Sequence, residues 1–234
     1  FVETAGDRSG VALVAVGGQG RRELAPQSDL DLLLLFDRGI DDIGEVANAL
    51  WYPIWDAGLK LGHAVRTVRD TLTLAGEDLE TATALLSARH LIGDASLSDE
   101  LAEKAKAGWR RRGRKWLEEL SASVRERHNV SGEVAFDLEP DLKDGRGGLR
   151  DLHALSWADA AGAELDPVLM DGMDEHYDTL LGVRVELHRL AAKPGDRLTL
   201  PDQDAVAALT GDADADVPMA RVAAAGRATA WASG

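Results

Sequence analysis

The sequence contains no cysteine among its 234 residues. Disulfide bonds and metal sites built on thiolates are therefore excluded, and a chain without cysteine is typical of a reducing compartment. Hydrophobic residues make up 45% of the chain, but no apolar run approaches the ~18 residues that a membrane-spanning helix needs. We expect a cytoplasmic protein that does not enter a membrane.

Positive charge is also scarce, with 26 lysines and arginines against 41 acidic residues and a net charge of −15. So acidic a chain is not expected to attract nucleic acid or anionic membranes in general. The exception is a basic cluster over 104–115, near Trp109 and Trp116. We interpret this cluster as a solvated helix face with two aromatic core anchors. The alternative is a docking patch for an acidic partner or a nucleotide phosphate.

Strand signals are confined to the first third of the chain. Short apolar runs bounded by turn residues predict strands over 11–16, 30–36 and 58–67, with a helix over 41–57. From residue 68 the hydrophobic spacing is helical, and we expect helices over 71–93, 97–127, 149–161, 174–192 and 217–231. This organisation predicts an α+β chain with a small sheet domain over 1–92 and a helical domain over 93–234.

Two aspartates, Asp29 and Asp31, begin an otherwise apolar strand. Alternate residues of a strand point to the same face, about 6.5–7 Å apart, and unpaired carboxylates at a core boundary are costly. Magnesium binds a few carboxylates together with water and phosphate oxygens. Two such ions can hold the attacking and leaving oxygens of a phosphoryl or nucleotidyl transfer. The pair therefore predicts a Mg²⁺ site for that chemistry.

A pair of glycines, Gly17 and Gly18, ends the preceding strand. Without side chains, their backbone N–H groups can approach a triphosphate closely. Arg21 follows the turn, where it would add a cation to the phosphate site. Ser28 precedes the aspartates, where it would hydrogen-bond a phosphate or cap the turn. Two common phosphate-binding motifs fit worse, because no Gly-Lys-Ser/Thr sequence exists and Glu23 stands where a dinucleotide fingerprint needs glycine.

The segment from Gly17-Gly18 to Asp29-Leu30-Asp31 resembles the active-site signature of the DNA polymerase β-type nucleotidyltransferase superfamily. Two further stretches, LGHAVRT (61–67) and DLEPDLKDGRGGLRDLHALSWA (137–158), resemble the bacterial PII uridylyltransferase family. The KDGRGGLRD element within the second stretch is shared in looser form with glutamine synthetase adenylyltransferases. The resemblance extends over residues 11–160 and continues more weakly to residue 234.

The resemblance implies that Asp29 and Asp31 bind catalytic Mg²⁺ and that Gly17 and Gly18 bind the nucleotide triphosphate. The implied reaction transfers a nucleoside monophosphate from UTP or ATP to a tyrosine of the PII signalling protein and releases pyrophosphate. The family also carries a His-Asp hydrolase domain and glutamine-sensing ACT domains. None of the six histidines here is followed by aspartate. We therefore expect this chain to be the nucleotidyltransferase domain (1–92) and helical domain (93–234) of a longer protein.

One superfamily feature is missing, namely a third carboxylate on a neighbouring strand that deprotonates the attacking hydroxyl. The strand over 58–67 has no acidic residue, and His63 stands where one would be expected. Imidazole titrates at about pH 6.5, which suits a general base, although a lone strand histidine is commonly structural. Asp151, directly after Arg150, is the alternative third acid.

The glycine-rich element has two interpretations that stay open. Gly147 and Gly148 precede a predicted helix and are flanked by Lys143, Arg146 and Arg150, as in an anion site at a helix start. On this interpretation Lys143 and Arg150 contact the nucleotide phosphates or the other domain. On the other, the element is only a turn that caps the helix.

Three functions therefore remain open. The favoured one is a nucleotidyltransferase acting on PII. The second is a related transferase acting on glutamine synthetase or on RNA ends, although the net charge and the lack of a Tyr and Phe stacking surface argue against RNA. The third is a non-catalytic nucleotide sensor, which the missing third acid suggests.

Overall fold

The computed structural model describes residues 9–190 and 195–234. The chain divides into two compact units. The first comprises the residues up to Leu24 together with Ser28–Arg112, and the second comprises Ala25–Gln27 together with Gly113–Gly234.

The first unit is built on a four-stranded mixed sheet. Its strands are β1 (Val11–Ala15), β2 (Leu30–Phe36), β3 (Leu61–Arg66) and β4 (Arg89–Gly93), in the order β3-β2-β1-β4. β1 runs antiparallel to β2 and β4, whereas β3 runs parallel to β2. The central strands β1 and β2 are covered on both faces, which explains why their sequences are unbroken apolar runs. The α+β class expected from the sequence is confirmed.

Five helices surround this sheet: α1 (Gly17–Arg21), α2 (Ile43–Asp56), α3 (Val68–Ala75), α4 (Leu79–Leu85) and α5 (Ala95–Arg111). α2 packs on one face, where Trp51 joins a cluster with Leu32 and Leu34. The other face belongs to α3, α4 and α5 and contains Leu33 and Leu35. Since side chains alternate along a strand, Asp31 belongs to the face of Leu33.

One sequence-based expectation for this region needs correction. The expected helix over 71–93 is wrong, because Gly76 ends α3, Asp78 caps α4 by accepting the Thr81 N–H at 2.7 Å, and β4 follows. β4 forms by pairing with β1, a long-range contact that local spacing does not encode. The two compact units divide at 112/113, because α5 packs on the sheet through Leu97 and Leu101, and the domain boundary at 92/93 stays a prediction.

The second unit is helical. It contains α6 (Gly113–Val130), α7 (Leu149–Ala161), α8 (Pro167–Met170), α9 (Met173–Leu190), α10 (Leu200–Thr210) and α11 (Asp216–Ala232) around a core of its own. The helix predicted over 149–161 is confirmed, whereas 97–127 is divided between α5 and α6. Residues 191 and 192, the expected end of the helix over 174–192, lie outside the described residues.

The basic cluster over 104–115 belongs to α5 and α6. Trp109 and Trp116 are buried, as expected for core anchors. Three of the basic side chains form pairs with glutamates one helical turn away: Lys104 with Glu100, Arg114 with Glu118 and Lys115 with Glu119. These contacts support the interpretation as solvated helix faces. In the parts of the chain that the structure describes, no helix is long and apolar enough to cross a membrane.

Candidate active site

The carboxylate of Asp31 lies in a notch between two glycines. Asp31 is the parallel partner of Gly62 on β3, and the N–H of Val16 donates to its backbone oxygen at 3.1 Å. A Cβ atom built on Gly62 would lie 2.5 Å from Asp31 Oδ1, and one on Gly17 would lie 3.2 Å from Oδ2. The carboxylate therefore occupies the space that side chains at 17 and 62 would take.

An open cavity of about 390 Å³ adjoins this notch. Its lining includes Asp31 and Gly62 from the strands and Asp78, Glu80 and Thr81 from the start of α4. Local sequence signals do not reveal the two carboxylates at the start of α4, because they reach this cavity only when α4 folds against the sheet. The notch thus opens onto a space with further acidic groups.

The glycine turn is held in place by the segment between α4 and β4. Ser87 Oγ donates to the backbone oxygen of Gly17 at 3.2 Å. Arg89 donates to the carbonyl oxygens of Gln19 and Gly20, at 2.9 and 3.2 Å. A Cβ on Gly20 would lie 2.1 Å from the Ser87 carbonyl oxygen, so the two backbones approach too closely for any side chain. The turn is fixed by residues about 70 positions away, which no local motif reveals.

Asp29 and Arg21 are placed differently from Asp31. Asp29 lies just before β2 with 57% of its side chain exposed, and its Oδ1 lies 3.9 Å from Lys60 Nζ. Arg21 lies near Gly18 but donates from Nε to Glu23 Oε2 at 2.6 Å. Its charge is therefore already compensated by a carboxylate.

Ser28 is half-buried directly before Asp29. Chain connectivity and strand register bring Gly17, Ser28, Asp29 and Asp31 to one end of β2. Within the first unit, the glycine turn thus lies beside Asp31, and the nucleotide-binding and metal-binding roles of these residues stay predictions.

His63 also contributes to the lining of the cavity beside Asp31, but its ring is directed to the other face of the sheet. It is the strand partner of Leu32, whose side chain belongs to the α2 face of the sheet. Its ring packs against two indoles of α2, with centroid distances of 5.3 Å to Trp51 and 5.3 Å to Trp55. Alternation places the ring on the face opposite to the Asp31 carboxylate. The general-base role of His63 stays a prediction, and this position does not favour it.

Asp151 is fully buried in the second unit. Its carboxylate accepts hydrogen bonds from Arg127 Nη2 at 2.7 Å and from the backbone N–H of Gly147 at 2.7 Å, and His128 Nε2 lies 2.9 Å away. A buried carboxylate that is satisfied by this many donors holds the neighbouring segments in place. Asp151 ties the glycine-rich element to α6, which argues against a role as the third catalytic acid.

The cations of the glycine-rich element are paired with carboxylates of the same unit. Lys143 Nζ lies 3.7 Å from Asp196, Arg146 Nη1 lies 3.5 Å from Glu133, and Arg150 Nε lies 3.1 Å from Asp144. These pairs favour the structural interpretation of the element. Phosphate contacts by Lys143 and Arg150 stay predictions.

The glycines of this element also differ from Gly17 and Gly62. A Cβ on Gly147 would lie 2.2 Å from the Gly226 carbonyl oxygen, and one on Gly148 would lie 2.8 Å from that of Gly145. Gly147 has a φ of +84°, a backbone angle that residues with a side chain rarely adopt. These glycines allow backbones to pack against one another and leave no open cradle.

The acidic residues near the notch fit a magnesium ion better than a metal held by the protein alone. Among the described residues there is no group of three or more histidine, aspartate or glutamate side chains that could hold a metal. Mg²⁺ in nucleotide sites typically takes one or two carboxylates and completes its shell with water and phosphate oxygens. Asp29, exposed, and Asp31, in a cradle that a Cβ would fill, match that requirement.

Comparison with known proteins agrees with these motifs. A model of the GlnD PII-uridylyltransferase family matches residues 114–227. The bifunctional uridylyltransferase/uridylyl-removing enzyme of Streptomyces coelicolor is 46% identical over 228 residues, covering 97% of this chain and 27% of the relative.

The chain belongs to the PII-uridylyltransferase family. Enzymes of the same name from Mycobacterium tuberculosis and Rhodospirillum rubrum are 45% and 37% identical, covering 89% and 87% of this chain. Those matches cover 27% and 23% of the two relatives. The chain thus spans about a quarter of the length of the curated relatives it matches.

Proposed function

We propose that this chain transfers a nucleoside monophosphate from UTP, or from ATP, to a tyrosine hydroxyl of the PII signalling protein and releases pyrophosphate. The observation that carries the proposal is the Asp31 carboxylate, held between Gly17 and Gly62 beside an open cavity. The names of the relatives give the uridylyl group, and the family description gives the PII protein. We infer a cytoplasmic location from the cysteine-free sequence.

Asp29 and Asp31 would hold the magnesium of the reaction. When bound there, Mg²⁺ neutralises phosphate charge and orients the reacting oxygens. The Gly17-Gly18 turn has no side chains, so a triphosphate can approach its backbone. Arg21, fixed by Glu23, lies beside that turn. These residues bind and orient the nucleotide.

The acceptor tyrosine must lose a proton, since a phenol has a pKa of about 10. Two carboxylates line the cavity next to Asp31. Hydrogen bonds from the Thr81 side chain and backbone lower the pKa of Asp78, which makes it a weak base. Glu80, on the first turn of α4, is therefore the candidate that we favour for accepting the proton.

The experiment is a transfer assay with purified PII and radiolabelled UTP or ATP in Mg²⁺. We expect labelled PII and pyrophosphate with one of the two nucleotides, and none with an Asp31→Asn variant. Asp37→Asn is the matched control, because Asp37 follows the other end of β2 and is exposed. Glu80→Gln should slow the transfer by about 10²–10⁴-fold, the usual size of general-base catalysis.

Other outcomes would redirect the proposal. Label on glutamine synthetase or RNA, but not on PII, would assign a different acceptor to the same site. Nucleotide binding without turnover on any acceptor would favour a sensor over an enzyme.

A further inference from the structure

Gly62 stands at an unusual position for a glycine. It lies within β3, at the edge of the sheet, where glycine weakens a strand because it has no side chain to pack. Its φ is outside the left-handed region, unlike that of Gly17 (φ +55°), so its backbone conformation does not require glycine. The loss of strand stability that glycine causes at this position must therefore be offset by something other than backbone geometry.

The reason lies in the space next to its α-carbon. A Cβ at this position would be 2.5 Å from Asp31 Oδ1, closer than real Cβ contacts come, whereas the next heavy atoms lie at 3.6 Å (Asp31 Cγ) and 3.7 Å (the Leu30 carbonyl oxygen). The one close conflict is therefore with the tip of the carboxylate. Gly62 leaves free the volume into which that oxygen points.

We propose that Gly62 is a positioning residue for the metal-binding carboxylate of Asp31. The proposal rests on the magnesium site of the proposed function. By lacking a side chain, Gly62 lets Oδ1 lean toward β3 while Oδ2 remains beside Gly17. The two glycines together define one orientation of the carboxylate, and a metal ion needs its ligands in a defined orientation.

The consequence of adding a methyl group follows from what it meets. The new methyl group would meet the Asp31 side chain, which can rotate about its own bonds. A clash with backbone atoms would instead displace the strand. A Gly62→Ala variant should therefore keep the fold and turn the Asp31 carboxylate out of its orientation. A purely structural glycine would give the opposite result, with stability lost and metal binding unchanged in the folded fraction.

The test measures metal binding without turnover. Mn²⁺ alone is titrated into the purified chain, and free Mn²⁺ is counted by electron paramagnetic resonance. We expect the Kd of Gly62→Ala to rise by about 10–100-fold, the usual cost of disturbing the residues that orient a metal ligand. Gly44→Ala is the matched control, since Gly44 lies in α2 of the same unit with nothing within 4 Å of its Cβ position.

Asp31→Asn separates the two proposals. If it binds Mn²⁺ as well as the unaltered chain does, the magnesium site fails and this inference fails with it. A second outcome is that Asp31→Asn loses Mn²⁺ binding while the Kd of Gly62→Ala stays within about threefold of the unaltered chain, far below the loss of about 10–100-fold expected for a positioning residue. In that case the magnesium site stands and only the role of Gly62 is refuted.

A second variant covers the case in which Gly62→Ala does not fold. Gly62→Ala combined with Asp31→Ala removes the carboxylate that the new methyl group meets. Restored folding, seen by circular dichroism and thermal unfolding, would support the conflict with Asp31. Failure of the double variant to fold would show that Gly62 serves the strand itself and would overturn the proposal.

Discussion

An aspartate lies next to glycines in both units, with opposite consequences. Asp31 lies between Gly17 and Gly62, which leave room for its carboxylate at the edge of an open cavity. Asp151 is fully buried, and the N–H of Gly147 is one of the donors to its carboxylate. The first carboxylate belongs to a residue that lines an open cavity, whereas the second is enclosed by donors of its own unit.

The two aspartates show how a binding carboxylate can be distinguished from a structural one. Both are acidic residues near glycines in segments that resemble family motifs, so residue type does not distinguish them. Burial does, because Asp31 lines an open cavity whereas the Asp151 carboxylate is fully buried among Arg127, His128 and Gly147.

The largest expected effect is on activity, at Asp31. Asp31→Asn removes a charge that would hold magnesium and changes the packing of β2 little, because the side chains have nearly the same shape. Nucleotidyl transfer should fall by at least about 10²–10³-fold, as when one charge-stabilising group is removed from an active site. The measurement is the initial rate of PII labelling at saturating UTP, with thermal unfolding as the check on folding.

Asp37→Asn should keep the unaltered rate in the same assay, since Asp37 lies beyond the opposite end of β2. Near-normal turnover of Asp31→Asn in Mg²⁺ would end the assignment of the first unit as the catalytic one.

The second effect is on stability, at Asp151. Asp151→Asn leaves the Arg127 guanidinium without its buried counter-charge, and breaking such a pair costs about 3–5 kcal/mol of unfolding free energy. Urea unfolding followed by circular dichroism measures it. Asp159→Asn, on the exposed part of the same helix α7, is the control. A stable Asp151→Asn chain that has lost nucleotidyl transfer would reverse the comparison and restore Asp151 as a catalytic acid.

The sequence could identify the first site because its parts lie close together in the chain. Gly17-Gly18 and Asp29-Leu30-Asp31 are separated by one helical turn and a loop, so local signals place them together. Gly62, Ser87 and Arg89 support the same site from distant segments, and only pairing with β2 or contact with α1 assigns them there.

Contacts between distant segments also explain two features of the fold that the local sequence pattern does not reveal. β4 is a strand because it pairs with β1, although its segment has helical spacing. α5 packs on the sheet through Leu101, although its helical spacing, shared with the segments that follow it, suggested a helical domain. Local pattern predicts most of the elements, whereas long-range packing decides the strand type of β4 and the place of α5.

A third prediction extends the comparison to pH. Burial alone would raise the pKa of Asp196 in the second unit, but hydrogen bonds from Arg184 and His188 and the charge of Lys143 outweigh it and lower the pKa. A carboxyl group with a lowered folded-state pKa stabilises the fold above its unfolded value of about 3.9 and loses that contribution as pH falls through the folded value.

Asp196→Asn should therefore cost about 1–3 kcal/mol near neutral pH, as for hydrogen bonds to a charged group, and less below about pH 4. Urea midpoints between neutral and acidic pH measure the difference. Equal costs at both ends of that range would show that Asp196 acts by packing and not by charge.

The smallest expected effect is at His63, which belongs to the first unit but not to its site. If His63 were the general base, the transfer rate would fall at acidic pH through a transition of about 6.5, and His63→Gln would remove that transition at a cost of about 10²–10⁴-fold. Its ring instead contacts Trp51 and Trp55 on the face opposite to Asp31. A base must lie within hydrogen-bond reach of the proton that it removes.

We therefore expect His63→Gln to keep the acid-side transition of the transfer rate. We also expect its rate to stay within about threefold of the unaltered chain, well below the loss expected for a missing base. The pH–rate profiles of the two chains, measured with PII and Mg²⁺·UTP, decide between these outcomes. Loss of the transition in His63→Gln would mean that the imidazole reaches the acceptor tyrosine after all, and Glu80 would then give up the role of base.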